Sequence, residues 1–218
     1  MSLLSRKKRP LTRDAGEPRD TRLFIVGTDD TYAPAQYFGF FQLSRVKVFV
    51  VPMEGNKSSA QHALERLIKY EHHEDDELWL LLDTDHYTKG THMEGFAKAL
   101  AEARSRGVEI AVSKPCFDLW LLLHQVDEEA VANIKNCAEV GAAFRAKTGE
   151  FSKTNLKQMH YPWEAVVEAY RRAERLDAGV QGGDIPKANA TRVWKLLRRI
   201  IEVSLPSQLP APLKELRA

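Results

Sequence analysis

Only two cysteines, Cys116 and Cys137, occur in 218 residues. Two isolated cysteines without a close pairing argue against a disulfide scaffold or a zinc ribbon and point to a reducing cytoplasm. His72, His73, His86 and His92 lie in one region, but no Cys/His spacing there matches a zinc motif. Long apolar runs are also missing. Leu3-Leu4 is too short for a signal-peptide core, and no stretch approaches a membrane span. Charge of one sign is scarce: 32 Lys and Arg face 30 Asp and Glu, and a net charge of +2 does not by itself imply a nucleic-acid partner. Nothing repeats at a fixed period, which excludes a solenoid or propeller. What is present, 44% hydrophobic and 28% charged residues, suits one soluble packed domain with a helical extension.

The first 22 residues carry seven basic side chains, from Arg6 to Arg22, against Asp14, Glu17 and Asp20. Residues 1–21 read as a basic flexible arm of the kind that can touch phosphate backbones. Leu23-Phe24-Ile25-Val26 and Val46 to Val51 read as buried strands around the loop Gly27-Thr28-Asp29-Asp30 and a short helix over Ala35 to Phe41. Gly55-Asn56-Lys57-Ser58-Ser59 supplies a loop and an N-cap. Ala60, Ala63, Leu64, Leu67 and Ile68 then keep the i, i+3, i+4, i+7, i+8 spacing of an amphipathic helix. A third strand ends at Asp83, Thr91 and Glu94 can form a capping box, and Val108 to Val112 is a fourth strand. Strands alternating with helices predict a mostly parallel four-stranded α/β core over 22–113. Helical stripes then fill 114–204: Val131, Ile134, Val140 and Phe144 mark one, Val166 to Leu176 another, and Val193 to Ile201 a third. Three prolines mark 205–218 as a loose tail.

Asp83-Thr84-Asp85 stands where the buried run Leu78-Trp79-Leu80-Leu81-Leu82 must end. Side chains at i and i+2 of an extended chain share a face, so both carboxylates can aim at one point. Two hard oxygen ligands at the carboxyl edge of a parallel sheet make a seat for magnesium or manganese. Asp118 is the second signal. It is the one acid in the otherwise apolar run Cys116 to Leu123, so it must meet a metal, a Lys or Arg, or backbone N–H groups.

The order of these segments resembles the RloB-like family over nearly the whole chain. The resemblance rests on the basic arm leading into Leu23-Phe24-Ile25-Val26, on Gly55-Asn56-Lys57-Ser58, and on Leu80 to His86. Its most specific block is Ser113-Lys114-Pro115-Cys116-Phe117-Asp118-Leu119-Trp120, where the family usually has Asn before Pro and Glu at the place of Asp118. Phe151 to Leu156 and Ile185 to Thr191 resemble further family elements. These bacterial proteins stand beside restriction or phage-defence genes, often with an ATPase partner, and are related to the Toprim fold of topoisomerases, primases and related nucleases.

The resemblance implies a Toprim-like fold and a magnesium-dependent nuclease acting on DNA or RNA in antiphage defence. Asp83 and Asp85 fall where that fold holds the metal. The usual Glu after the first strand is missing, and Asp29 or Asp30, one methylene shorter, stands in its place as third ligand or proton-transfer group. His86 could touch phosphate, and Lys114 could neutralise transition-state charge. Lys153 and Lys187, carried by the resemblance, could bind substrate or pair with Asp118. Two alternatives remain: a degenerate Toprim-like scaffold or regulatory subunit, possible as a homo-oligomer, and a different phosphoryl transfer on nucleotides.

Overall fold

The computed structural model describes residues 21–53, 55, 58–85, 87 and 91–217. The arm over 1–20, Asn56-Lys57, His86 and the side chain of Thr91, with its expected capping box, lie outside them.

Four strands, β1 (Arg22–Thr28), β2 (Val46–Val50), β3 (Glu77–Asp83) and β4 (Glu109–Lys114), pair in parallel. The helices α1 (Ala33–Gly39), α2 (Ala60–Lys69) and α3 (Thr91–Ser105) connect them. A fifth strand, β5 (Ala190–Thr191), pairs antiparallel with β4 to give the order β2-β1-β3-β4-β5. The sheet is therefore mixed and five-stranded, not the four-stranded parallel sheet expected. Two residues are too few to show a period of two, and a polar contact helps to hold this strand: Ser113 Oγ and Thr191 Oγ1 lie 2.8 Å apart.

Alternation along the strands builds two cores. Phe24, Val26, Trp79 and Leu81 join the core shared with α1 and the C-terminal helices, while Ile25, Leu80, Leu82 and Val112 join the one shared with α2 and α3. Gly27 lets α2 close on β1, since a Cβ there would stand 2.9 Å from both the Ala63 carbonyl oxygen and the Leu67 Cβ. That approach fixes where the Asp29 loop begins. Ser59 starts α2 as expected, its hydroxyl accepting from the His62 N–H.

The C-terminal part contains α4 (Asp118–Leu122), α5 (Cys137–Thr148), α6 (Trp163–Ala178), α7 (Val193–Val203) and α8 (Ala211–Lys214). The stripe expected from Val131 to Phe144 is split, with Val131 in a 3-10 turn before α5. Asn189 bridges the break, donating to the Val131 and Ile134 carbonyls at 2.9 and 2.7 Å. Residues 205–217 are not loose: Leu209 and Leu213 are buried, and the prolines open short helical turns. Cys116 and Cys137, expected to stand apart, are joined as a disulfide, their Cα atoms 6.0 Å apart where α4 and α5 begin. The ground for a reducing compartment is thereby removed. Among the described residues no helix is long and apolar enough to cross a membrane.

Candidate functional site

Both acidic motifs sit where the sheet runs out. Thr28, the last residue of β1, pairs with Leu81, and Asp83, the last of β3, pairs with Ser113. Parallel pairing puts these carboxyl ends on one edge, the usual ligand edge of such sheets. The Asp29 carboxylate reaches across to β3 and accepts from the Asp83 N–H at 3.3 and 3.4 Å. Asp30 turns the other way. Its Oδ1 accepts from the N–H groups of Tyr32 and Ala33 at 2.8 and 3.2 Å, which fixes the turn that leads into α1. Its Oδ2 is 2.9 Å from Lys153 Nζ.

The β3 and β4 ends are locked together. Asp83 Oδ1 accepts from the Phe117 N–H at 2.7 Å, and the Thr84 and Asp85 N–H groups donate to the Pro115 carbonyl at 3.0 and 3.1 Å. The Ser113-Lys114-Pro115 turn thus delivers Asp118 to the same edge as the first residue of α4. Asp118 is buried, and its Oδ1 makes no hydrogen bond.

Electrostatics separates these groups. Burial pushes the Asp83 carboxyl well above the usual carboxylate range, and Asp29, Asp30 and Asp85 push it further against the pull of Lys153. Asp29 is raised in the same way by burial, against the Asp83 N–H it accepts from. Burial also lifts Asp118 to about 6, with Lys153 pulling down and Asp30 and Asp85 adding to the rise. For Lys153, burial works to lower the ammonium, but Asp30, Asp118 and Asp83 together raise it above its ordinary value. Among the described residues, Lys153 is a cation set among these acids.

The structure therefore brings Asp29, Asp30, Asp83, Asp85, Asp118 and Lys153 together. Lys114 points elsewhere, its ammonium donating to the Lys187 carbonyl at 2.8 Å, and Lys187 is exposed on the loop before β5. His86 lies outside the described residues. Tyr87 was not singled out by sequence reasoning. Its hydroxyl accepts from the Ala60 N–H at 2.8 Å, and burial, then the charges of Asp29, Asp83 and Asp85, push it up to about 12. Gln36 was missed as well. Its amide clamps the Lys153 loop, donating to the Lys153 carbonyl at 2.8 Å and accepting from the Leu156 N–H at 2.9 Å. Only the position of Tyr87, two residues after Asp85, signalled either residue.

Among the described residues no three His, Cys, Asp or Glu side chains gather with metal-binding geometry. Magnesium does not require such a cage, because one or two carboxylates with water and substrate phosphate suffice. An oxygen-only donor set fits that mode: Asp83 and Asp85 are the side chains that could hold the ion, with Asp29 beside them, and burial followed by neighbouring carboxylates raises Asp83 and Asp29.

No curated protein and no solved structure matches the chain. A family model described as RloB-like protein matches residues 24–200, which takes in most of β1, both acidic motifs, the Asp118 block, Lys153 and β5. The chain belongs to the RloB-like protein family.

Proposed function

We propose that the protein is a Toprim-type, magnesium-dependent nuclease that hydrolyses a phosphodiester of DNA or RNA, as an effector of antiphage defence working with an ATPase partner. One observation carries this reading: Asp29 and Asp83 are held side by side at one edge with Asp85 next to them, and burial and neighbouring carboxylates raise both Asp29 and Asp83. A fold tolerates such repulsion where the charge has work to do. A divalent cation bound there neutralises phosphate charge and lowers the pKa of the attacking water.

The chain's own residues divide the remaining tasks. Asp83 is oriented by the Phe117 N–H, which leaves its second oxygen for the ion. Asp30 is committed to the turn before α1 and to Lys153, so it is a positioning residue and not the proton-transfer group. Asp29, held across from Asp83, is the stand-in for the missing glutamate. In the reaction Asp29 takes the water's proton as the water oxygen bonds to phosphorus, the P–O ester bond breaks, and that proton passes to the leaving oxygen. Asp30, paired with the ammonium, holds Lys153 in place, and Asp118 adds to the charge that keeps it protonated.

A second reading has its own observation. Lys153 already offsets part of the acid charge, and no three-ligand cluster forms among the described residues, as a degenerate regulatory or scaffold subunit would show. The test separates the two. Full-length protein is incubated with magnesium or manganese and plasmid, single-stranded DNA or total tRNA, alone and with the neighbouring ATPase. Cleavage is expected with at least one substrate, falling by more than about 100-fold in Asp83→Asn. Cleavage indifferent to Asp83→Asn sinks the metal assignment, and no cleavage with partner binding intact selects the scaffold.

A further inference from the structure

Between the end of β2 and the outer face of α2 lies a cavity of about 390 Å³, lined by Pro52, His62, Glu65, Arg66, Lys69 and Tyr70 among others. His62, Arg66 and Lys69 recur at i, i+4 and i+7, so α2 presents them on one face. Glu65 is the opposing charge in the same wall, its Oε1 accepting from Gln61 Nε2 at 3.4 Å.

This wall is bonded to the loop that carries the acids. Arg66 Nη2 donates to the Thr28 carbonyl at 3.0 Å, one residue before Asp29. Thr31 Oγ1 lies 3.2 Å from the sulfur of Met53, which follows Pro52 in the chain. The 28–32 loop thus borders the acid cluster on one side and the cavity on the other. Tyr32 projects from it, 50% exposed, one of three exposed large apolar side chains among the described residues. Its N–H is held by Asp30 Oδ1, and its carbonyl accepts from Gln36 Nε2 at 3.0 Å. An exposed ring on a fixed backbone is a stacking platform with little ordering left to do on binding.

The acid cluster repels a polyanion, so affinity for one must come from another surface nearby. Building on the nuclease reading, we propose that Tyr32 and the basic face of α2 form the track of a single-stranded nucleic acid. A base stacks on Tyr32, and neighbouring phosphates pair with Lys69 and His62 while Arg66 holds the loop beneath them, which leads the strand to the acid cluster. A single strand is required because duplex bases offer no open face to an aromatic ring.

Fluorescence anisotropy with labelled short poly(dT) and poly(U), in EDTA so that nothing is cut, tests the track on the full chain. Tyr32→Ala is expected to weaken binding about tenfold or more, and Tyr32→Phe to leave it unchanged. Lys69→Gln should weaken binding and reduce the slope of log K against log salt by about 0.7, the value of one single-strand phosphate contact. Glu65→Gln should tighten binding. Preference between the two probes assigns the strand as DNA or RNA. The track is overturned if wild-type protein binds neither probe, if Tyr32→Ala and Lys69→Gln bind like wild type, or if Glu65→Gln weakens binding. Variants that behave as expected in a protein that never cleaves would sink the nuclease reading and leave the track standing. Asp83-dependent cleavage with unaltered binding by the variants would do the reverse.

Discussion

Two buried polar clusters flank α1, and they follow opposite rules. On one side Tyr37, from α1 itself, meets His124. The Trp120 carbonyl, 2.9 Å from Nδ1, can only accept, so Nδ1 carries the proton and Nε2 accepts from the Tyr37 hydroxyl at 3.0 Å. Burial pushes His124 down to about 3, so it stays neutral and satisfied. The rings of Trp120 and Tyr161 meet Tyr37 edge-on. On the other side Asp30 fixes the turn before α1 and faces the acid cluster, where Asp29, Asp83 and Asp118 are raised and Asp118 keeps an oxygen without a hydrogen bond. The first cluster is arranged for stability. The second holds charge that the fold would be more stable without, which marks it as the working end.

That contrast can be broken most forcefully from the side of the Tyr37–His124 pair. Trp120→Ala removes a fully buried ring and should cost roughly 3–5 kcal/mol in urea unfolding, with activity lost only as the fold is lost. Tyr37→Phe strands His124 Nε2 and should cost roughly 1–3 kcal/mol. Asp83→Asn should have the opposite sign. The asparagine Oδ1 still accepts from the Phe117 N–H while the repelled charge is gone, so thermal unfolding in EDTA should move up by a few degrees. Magnesium should raise the wild-type midpoint and leave that of Asp83→Asn where it was. Stabilisation in Trp120→Ala, or destabilisation in Asp83→Asn, would erase the distinction between the clusters.

The sequence made the second cluster more legible than the first. Strand ends can be read because apolar runs stop, and Asp83, Asp85 and Asp118 were conspicuous as acids beside or inside such runs. Their convergence follows from parallel pairing, which the alternation of strands and helices announced. Lys153 was legible only as part of a family block, because its meeting with Asp30 spans more than a hundred positions. Lys114 shows the converse. Its place next to the sheet edge suggested a catalytic cation, but the loop before β5, a strand too short to leave a pattern, provides the Lys187 carbonyl that takes its ammonium. The Tyr37–His124 pair left no signal, since a tyrosine and a histidine in apolar stretches read as core. The Cys116–Cys137 bond was equally silent, because a separation of 21 residues says nothing until α4 and α5 are placed.

The finest distinction between the clusters lies in their response to pH. Asp118 has its folded value raised from 3.8 to about 6. A raised carboxyl contributes stability while protonated, below its unfolded value, and that contribution is lost as pH rises through about 6. Asp118→Asn should therefore be more stable than wild type at neutral pH, and its advantage should shrink as pH falls through about 6 towards 3.8. His124 works the other way: its folded value is depressed, so its contribution is present above its unfolded value of 6.5 and lost as pH falls towards 3. It is common to both proteins and cancels in the difference. Urea midpoints of the two proteins across this range give the measurement. A difference that does not vary with pH would mean that Asp118 is not held as an uncomfortable acid, and that the charge beside Lys153 is as settled as the histidine on the far side of α1.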